Sequence, residues 1–532
     1  MMAATTVVQL LVDAAARAPQ REALVCGDER IDHAHYLAAV AGFAHELRAL
    51  GAAGERVATL IGNSIDGCIA AFACLSAGAQ HAPLNALLTP HELEPILADA
   101  QPQVFIVQAP LAAAALPVAR RLGIVHCIVV GDGARRLADA AGGGAALPPL
   151  PDPEAPALLQ YTGGTTGRAK GVELTHRALA VNVAQREALL PTREGDRVLC
   201  MMPLAHAYGM AMGLLLAVRA ASTLVILPRY QGDAVLDIVA RERIGVFLGS
   251  PTIFTGLLAH PRSATTDWRS VHTCYSGASA LAAATLERWH ALTGAVVLEG
   301  YGLTEAGPVL AFNPAGGPVK PATVGVPVPG TEIEIVDVET GTRVLPRGES
   351  GEIRARGPQL MSGYRNRPLE TAQALRDGWL YTGDIGAIDD HGVLSIRDRK
   401  KDMAIVGGYN VYPREVEEVL FAHPDVADAA VIGVADDYRG ETLLACIVPH
   451  QGAAGDAAAL QAALQALCAE RLSRYKQPAA FSFMTALPKT SAGKTDKAAL
   501  RAVFRSVPAH RAGTVPSKPA TAFPPHHRGA DA

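Results

Sequence analysis

The stretch YTGGTTGRAKGVELTH, residues 161–176, is rich in glycine and threonine and carries two positive charges, Arg168 and Lys170. Glycines let successive backbone N–H groups turn toward one ligand, threonine hydroxyls add hydrogen-bond donors, and a lysine supplies positive charge. We therefore predict a loop that wraps a polyphosphate, followed by the entrance to a helix at residues 171–175. The alternative is an ordinary flexible turn. A Walker loop is excluded, because the GKT sequence at Gly493 has Pro488 where the leading glycine belongs.

Composition limits the class of protein. A chain of 532 residues exceeds the size of one hydrophobic core, so at least two domains are expected. The formal net charge of −4 argues against a nucleic-acid-binding surface. The eight cysteines form no CxxC pair, which is typical of reduced core thiols. Since no basic leader and no long apolar run occurs, we predict a cytoplasmic protein without integral membrane association.

The pattern of apolar runs and turn residues along the chain predicts an α/β fold. Residues 22–107 alternate short apolar runs with helical stretches, which indicates layered sheets and helices. Short strands broken by Gly, Pro and Asp turns at 324–396 predict a β-rich subdomain. We expect a large N-terminal domain at 1–398, a small mobile C-terminal α+β domain at 399–505, and a disordered tail at 506–532, which has too few apolar residues to pack.

The glycine- and threonine-rich stretch closely resembles the phosphate loop of the adenylate-forming superfamily, which includes acyl-CoA synthetases, peptide-synthetase adenylation domains and luciferases. Further motifs of that family follow in the expected order, and the resemblance covers nearly the whole chain. These motifs are SGAS (276–279), YGLTE (301–305), WLYTGD (379–384), RDRKKD (397–402) and LPKTSAGK (487–494). Together they are specific for adenylate formation and much less specific for the acid and its acceptor.

The resemblance implies a site for ATP and AMP built from these motifs. Asp384 is implied to accept hydrogen bonds from both ribose hydroxyls, for which a carboxylate has two oxygens. Glu305 is implied to bind Mg²⁺, with phosphate oxygens as further ligands. The implied nucleotide-binding residues are Thr162, Gly163, Gly164, Thr165, Thr166, Gly167, Lys170, Gly277, Ala278, Ser279, Glu299, Gly300, Tyr301, Gly302, Thr304, Asp384 and Arg399.

The implied catalytic residues are Lys494, His206, Thr166 and Glu305. A carboxylate that attacks a phosphate brings two anions together, and the Lys494 cation between them would offset the repulsion. Without the family resemblance, Lys494 in its Gly/Ser/Thr-rich segment would be interpreted as an ordinary solvated lysine. His206 matches a histidine at the mouth of the acyl pocket. The alternative is a structural histidine in the core whose ring nitrogens are hydrogen-bonded.

The remaining implied residues concern the acid and the acceptor. The acyl pocket would be bordered by His206, Tyr208, Gly209, Gly277, Pro308 and Val309. Lys401 would be the hinge of the C-terminal domain, and Gly407 and Gly408 would face the thiol acceptor after the domain turns.

The resemblance implies an ATP-dependent acyl-CoA synthetase that uses Mg²⁺ and coenzyme A. A carboxylic acid would be activated as acyl-AMP with release of pyrophosphate, and the thiol of CoA would then displace AMP. A medium- or long-chain fatty acid is the favoured substrate, and a hydroxycinnamate-type aryl acid is the alternative. No arginine in the pocket motifs is available to pair a second carboxylate. An acyl-AMP ligase that loads an acyl carrier protein, a luciferase-type oxygenase and a nucleotide-binding relative without turnover stay open.

Overall fold

The computed structural model describes residues 5–131, 133–143, 146–162, 169–277, 281–317, 320–406, 409–436, 439–450, 457–490 and 494–504. The chain divides into two compact units, Met1–Ile396 and Arg397–Ala532. Several predicted features lie outside the described residues: Gly163, Gly164, Thr165, Thr166, Gly167, Ala278, Ser279, Gly407, Gly408 and the tail at 506–532.

The first unit is a layered α/β structure. Its helices are α1 (Val7–Arg17), α2 (His33–Ala49), α3 (Ile65–Ser76), α4 (Pro90–Ala100), α5 (Ala109–Arg121), α6 (His176–Leu189), α7 (Ala207–Gly209), α8 (Leu216–Arg219), α9 (Gly232–Arg241), α10 (Pro251–Leu258), α11 (Ala283–Thr293) and α12 (Pro368–Ala374). A π-helical turn, Met210–Leu215, joins α7 to α8, and 3₁₀ turns occur at Leu137–Gly143, Pro261–Thr265 and Thr304–Ala306.

The strands of the first unit are β1 (Glu22–Cys26), β2 (Glu29–Asp32), β3 (Arg56–Leu60), β4 (Gln80–Leu84), β5 (Val104–Gln108), β6 (His126–Val130), β7 (Pro156–Thr162), β8 (Lys170–Thr175), β9 (Arg197–Cys200), β10 (Thr223–Ile226), β11 (Val246–Gly249), β12 (Thr273–Ser276), β13 (Val297–Gly302), β14 (Val309–Phe312), β15 (Val326–Pro327), β16 (Glu332–Val336), β17 (Gly351–Arg356), β18 (Gly363–Tyr364), β19 (Leu375–Arg376) and β20 (Trp379–Ile388). Strand β21 (Leu394–Arg399) spans the boundary between the units.

Three sheets organise these strands. A nine-stranded sheet runs β15-β14-β13-β12-β11-β9-β10-β1-β2, and a seven-stranded sheet runs β18-β8-β7-β4-β3-β5-β6. A five-stranded sheet, β16-β17-β20-β19 with β21 on β20, corresponds to the predicted β-rich region. Strands β9 to β13 of the first sheet pair in parallel and are largely buried, as expected for a sheet covered by helices on both faces. The α/β prediction is confirmed by this architecture and by the structural relatives described below.

Helix starts in the first unit follow the capping rules. The side chains of Asp32, Ser64 and Thr175 each accept a hydrogen bond from a backbone N–H of the first turn of α2, α3 and α6. Thr89 and Glu92 form a capping box at the start of α4. No helix in the described residues is both long and apolar enough to cross a bilayer.

The predicted helix entrance at 171–175 is wrong. Residues Lys170–Thr175 form strand β8, which pairs antiparallel with β7, and helix α6 begins only at His176. Val172 and Leu174 are buried while Glu173 between them is partly exposed, which is the alternation of a strand. The glycine- and threonine-rich loop therefore joins the two strands of a hairpin.

The second unit contains a sheet in the order β23-β22-β25-β24, with β26 beside β25. Its elements are β22 (Ala404–Val406), β23 (Tyr409–Val411), α13 (Pro413–Phe421), β24 (Val426–Asp436), β25 (Gly440–Pro449), α14 (Ala457–Arg471), a 3₁₀ turn (Arg474–Lys476), β26 (Ala480–Phe483) and α15 (Lys497–Phe504). Apolar residues of α13 and α14 pack on one face of the sheet, and Leu500 and Phe504 of α15 pack on the other.

Candidate functional site

The carboxyl ends of three parallel strands form one edge of the nine-stranded sheet. Gly249 of β11 is aligned with Ser276 of β12, which is aligned with Glu299 of β13. Gly277 and Gly300, both predicted to bind the nucleotide, therefore lie at the same edge. Ligands of open α/β sheets bind outside the carboxyl ends of the strands, so this edge is the expected location of a site.

Close packing explains why two of these positions are glycines. A Cβ atom at Gly277 would lie 2.8 Å from Cε2 of Tyr208, and one at Gly300 would lie 2.3 Å from Cδ2 of Phe312. Side chains therefore have no room there without displacement of an aromatic ring. The sequence resemblance implied that these glycines bind the nucleotide, and the structure adds a packing reason for them that does not depend on a ligand.

Glu299 is buried at this edge, and its Oε1 accepts a hydrogen bond of 2.9 Å from the backbone N–H of Leu281. Thr304 is also buried, whereas Gly302 is exposed. A Cβ at Gly302 would lie 1.8 Å from the carbonyl oxygen of Pro308, which accepts a hydrogen bond from Leu303. These contacts give the segment after β13 a tight turn.

Tyr301 and Asp384, which the sequence resemblance assigned to the nucleotide site, contact each other directly. The Tyr301 hydroxyl donates a 2.8 Å hydrogen bond to Oδ2 of Asp384, and both residues are buried. Tyr301 belongs to β13 of the nine-stranded sheet and Asp384 to β20 of the five-stranded sheet. This hydrogen bond therefore joins two sheets at the predicted nucleotide site.

The β7–β8 hairpin, which flanks the predicted phosphate loop, is held by side-chain contacts at its base. Thr162 and Lys170 face each other across β7 and β8. The Tyr161 hydroxyl donates a 2.8 Å hydrogen bond to Oδ2 of Asp99, and burial together with this carboxylate raises the pKa of Tyr161. Lys170 Nζ lies 5.1 Å from the centroid of the Tyr364 ring, within the range of a cation–π contact.

Tyr364 also reaches Glu305, the predicted magnesium ligand. Its hydroxyl donates a 2.8 Å hydrogen bond to Oε1 of Glu305, and burial and the nearby carboxylate raise the pKa of Tyr364. Sequence analysis did not single out Tyr364. Its position in a short strand gave no signal, because both contacts join Tyr364 to residues far away in the chain.

The surroundings of Glu305 fit a cation that shares its ligands with a nucleotide. The carboxylate is half-buried, and carboxylate oxygens are the hard ligands that Mg²⁺ prefers. Among the described residues, no group of three or more His, Cys, Asp or Glu side chains is placed to hold a metal ion. A cation at Glu305 would therefore take further ligands from phosphate oxygens and water.

Three of the predicted acyl-pocket residues, His206, Tyr208 and Gly209, lie at the start of α7. His206 precedes α7, and its Nδ1 accepts a 3.2 Å hydrogen bond from the backbone N–H of Tyr208. The Tyr208 hydroxyl donates to the carbonyl oxygens of Gly249 (3.3 Å) and Tyr275 (3.4 Å). A Cβ at Gly209 would lie 2.2 Å from the carbonyl oxygen of Pro203, so this turn also requires glycine.

Helix α6 fixes the other predicted border of the pocket. Asn182 of α6 donates a 2.8 Å hydrogen bond to the carbonyl oxygen of Val309 and accepts one of 3.0 Å from its backbone N–H. Helix α6, which follows the β7–β8 hairpin, is thus joined to β14 by two hydrogen bonds, next to Pro308. Sequence analysis missed Asn182, because an asparagine inside a helical stretch carries no sign of a partner 127 residues away.

The second unit carries Arg399, Lys401 and Lys494. The Arg399 and Lys401 side chains are exposed. The carbonyl oxygen of Lys494 accepts a 2.7 Å hydrogen bond from the backbone N–H of Thr490. Lys489, next to Thr490, forms an ion pair of 2.7 Å with Asp428 of β24 and so connects this segment to the sheet.

Two further ion pairs hold helix α15, which starts three residues after Lys494. Lys497 Nζ lies 2.8 Å from Oε1 of Glu417 on α13, and Arg501 lies 2.7 Å from Asp402. Burial raises the pKa of Glu417, and the negative charge of Glu417 raises the pKa of Lys497. Sequence analysis found none of these partners, because each pair joins segments that are far apart in the chain.

Family models match segments of both units of the chain. Residues 11–365 match the family model described as AMP-binding enzyme, and residues 415–494 match the AMP-binding enzyme C-terminal domain. The long-chain-fatty-acid–CoA ligase of Bacillus subtilis (strain 168) is 37% identical over 525 residues, which cover 92% of this chain and 93% of that protein. A feruloyl-CoA synthase of an Amycolatopsis species is 36% identical over 491 residues, which cover 91% of this chain and 96% of that protein.

Solved structures agree with these sequence matches. The crystal structure of ATP-bound MatB from Rhodopseudomonas palustris superposes with a TM-score of 0.87 at 32% identity and covers 94% of this chain and 100% of that chain. The similarity thus extends over nearly the whole chain.

Proposed function

This chain belongs to the AMP-binding enzyme family and is an AMP-forming acid–thiol ligase, and we propose that the acid it activates is a medium- or long-chain fatty acid. The acid would be joined to AMP from ATP with release of pyrophosphate, and its acyl group would then pass to coenzyme A. The similarity to a long-chain-fatty-acid–CoA ligase supports this choice.

The observation that carries the choice of an apolar acid is the environment of Tyr208. Tyr208 packs against two of the hydrophobic clusters of the first unit, and among the described residues its hydroxyl donates hydrogen bonds only to backbone carbonyls. The adjoining π-helical turn Met210–Leu215 is apolar and buried. Methionine side chains adapt to irregular apolar shapes, which suits a flexible alkyl chain.

An aryl acid of the hydroxycinnamate type is the second candidate. The chain is 36% identical to a feruloyl-CoA synthase, nearly the same as its identity to the fatty-acid ligase. The aromatic ring of Tyr208, held between apolar side chains and Gly277, would suit a planar substrate as well.

In the proposed first half-reaction, a carboxylate oxygen of the acid attacks the α-phosphorus of ATP. A new P–O bond forms, and the bond from the α-phosphorus to pyrophosphate breaks. Lys170 and the phosphate loop would hold the phosphates, and Asp384 with Arg399 would hold the ribose. Lys494 would offset the charge that develops between acid and α-phosphate. Mg²⁺, when bound, supplies positive charge to the phosphate oxygens, and Glu305 is the residue that would hold it.

In the second half-reaction the CoA thiol loses its proton and its sulfur attacks the acyl carbon, a thioester bond forms, and the bond from the acyl carbon to the phosphate oxygen breaks to release AMP. AMP, a phosphate monoester, is a far better leaving group than the oxygen of a free carboxylate, which is why activation comes first. Lys401 would be the hinge at which the second unit turns between the two steps, and Gly407 and Gly408 would then face the thiol. A carrier-protein thiol is the competing acceptor.

Pyrophosphate release with a panel of acids tests this proposal. Octanoate, palmitate, ferulate, 4-coumarate and malonate would each be assayed with ATP, with and without CoA. We expect the highest kcat/KM for a fatty acid and CoA-dependent thioester formation. A higher kcat/KM for ferulate than for any fatty acid would replace the fatty-acid assignment with the aryl one. Acyl transfer to an added acyl carrier protein in preference to CoA would show that the acceptor is a carrier-protein thiol and not CoA.

A further inference from the structure

We propose that Tyr364 is a positioning residue that orients both Glu305 and Lys170 for the metal–nucleotide complex. The inference rests on the proposed function for the identity of the ligand, Mg·ATP. It concerns a residue that sequence analysis did not select, and it is carried by contacts on two sides of one aromatic side chain.

The first contact is with Glu305. The Tyr364 hydroxyl donates a 2.8 Å hydrogen bond to Oε1, and among the described residues Oε2 forms no hydrogen bond or ion pair. The backbone N–H of Met361 donates a 2.9 Å hydrogen bond to the carbonyl oxygen of Glu305. Glu305 is therefore held through both its side chain and its main chain, with Oε2 available to a cation.

The second contact is with Lys170. Tyr364 pairs with Val172 across β18 and β8, and Lys170 precedes Val172 by two residues on the same face of the strand. Diagonal neighbours of this kind are within reach of long and aromatic side chains. Lys170 Nζ accordingly lies 5.1 Å from the ring centroid of Tyr364.

The backbone around Tyr364 is itself fixed. Its N–H donates a 2.9 Å hydrogen bond to Oγ1 of Thr371, and the N–H of the next residue, Arg365, donates a 2.8 Å hydrogen bond to the carbonyl oxygen of Gly171. A side chain with few rotatable bonds on a fixed backbone holds its partners at defined positions. Partners that orient a metal-binding carboxylate in this way contribute strongly to metal affinity.

Tyr364→Phe removes the hydroxyl and keeps the ring, so it tests the contact with Glu305 alone. Mn²⁺ binding to the ATP complex would be measured by electron paramagnetic resonance, and ATP binding in EDTA by calorimetry. We expect Mn²⁺ affinity in the ATP complex to fall about tenfold, the lower range for loss of such a partner, while ATP affinity in EDTA is unchanged. Tyr364→Leu removes the ring as well, and it should also lower ATP affinity in EDTA because Lys170 loses its contact.

Tyr36→Phe is the matched control. The Tyr36 hydroxyl donates a buried 2.9 Å hydrogen bond to the carbonyl oxygen of Cys68, and neither residue is assigned to the nucleotide site. Loss of either hydroxyl should lower thermal stability, but Tyr36→Phe should leave Mn²⁺ affinity unchanged.

Two results would overturn the role of Tyr364: Mn²⁺ affinity of Tyr364→Phe equal to that of the wild type, or an equal loss of Mn²⁺ affinity in Tyr36→Phe. A wild-type protein that binds Mn·ATP but activates no fatty acid would contradict the proposed substrate only. The expected tenfold difference between Tyr364→Phe and wild type would still support the role of Tyr364.

Discussion

The hydroxyl of Tyr301 donates a 2.8 Å hydrogen bond to the carboxylate of Asp384, across 83 residues of sequence. The two residues come from different sheets, and both are buried. Asp384, which we propose binds the ribose, is therefore oriented before any ligand is present. A preorganised carboxylate loses little freedom on binding, so we expect this hydrogen bond to raise the affinity for the nucleotide.

Tyr301→Phe should weaken ATP binding about tenfold, because a hydrogen bond to a charged group contributes about 1.5–3 kcal/mol. Calorimetric titration with ATP measures this effect. Tyr36→Phe is the control, since the Tyr36 hydroxyl donates a buried 2.9 Å hydrogen bond to the carbonyl oxygen of Cys68. That variant should lose stability and keep its ATP affinity. Equal ATP affinity of Tyr301→Phe and wild type would show that Asp384 needs no such support.

Lys494→Ala should slow acyl-AMP formation by about a hundredfold or more, because it removes a charge that acts on the transition state. Transfer from synthetic acyl-AMP to CoA should be much less affected. The two half-reactions are measured separately, by pyrophosphate release and by thioester formation. Lys320→Ala removes a lysine that forms a 3.0 Å exposed ion pair with Asp389, and it should change neither rate. Full-speed adenylation by Lys494→Ala would refute the assigned role.

Lys497→Met should destabilise the second unit by about 3 kcal/mol, because it leaves the Glu417 carboxylate, whose side chain is only 14% exposed, without its cation. The double variant with Glu417→Met should recover much of this loss, since no unpaired charge is left. Chemical denaturation of the full chain measures both. Lys476→Met removes a more exposed pair with Glu415 and should cost no more than about 1 kcal/mol. The prediction fails if both lysine variants cost the same.

Adenylation should also respond to Lys497→Met. Helix α15 begins three residues after Lys494, and the Lys497–Glu417 pair holds its first turn. We expect acyl-AMP formation to slow more than transfer from synthetic acyl-AMP. Equal slowing of both half-reactions would indicate a general loss of structure and not a displaced Lys494.

His176 should make stability depend on pH in the acid range. Burial lowers its pKa from 6.5 to about 4, and among the described residues its ring nitrogens form no hydrogen bond. Between these two values the unfolded chain binds the proton more readily, so the free energy of unfolding is highest above pH 6.5 and falls as the pH drops toward 4. The shift corresponds to roughly 3 kcal/mol.

His176→Leu should reduce the change in the free energy of unfolding between neutral and acid pH by roughly 3 kcal/mol. His391→Gln, at an exposed position, should leave this change as it is in the wild type. Denaturant titrations at pH 4.5, 5.5 and 7 compare the variants with the wild type. His33 and His81 are buried as well, with pKa values lowered to about 4 and about 3, so part of the slope should persist in His176→Leu. An unchanged slope in His176→Leu would contradict the prediction.

Sequence analysis succeeded where a short local pattern carries the information. The apolar rhythm of the first hundred residues predicted strands and helices such as Arg56–Leu60 and His33–Ala49 close to where they occur. It failed at 171–174, because the choice between strand and helix there depends on pairing with β7 and β18. Local propensity is weak, and tertiary pairing overrides it.

The sequence by itself determined the chemistry of this protein: the order of its motifs identified an ATP-dependent ligase that activates a carboxylic acid. Only the tertiary structure decided which side chains support that chemistry. Tyr364 reaches Glu305 across 59 residues, and Asn182 reaches Val309 across 127. Such partners leave no mark in a local motif, because a hydrogen bond depends on the distance and direction between two groups that only the folded chain brings together.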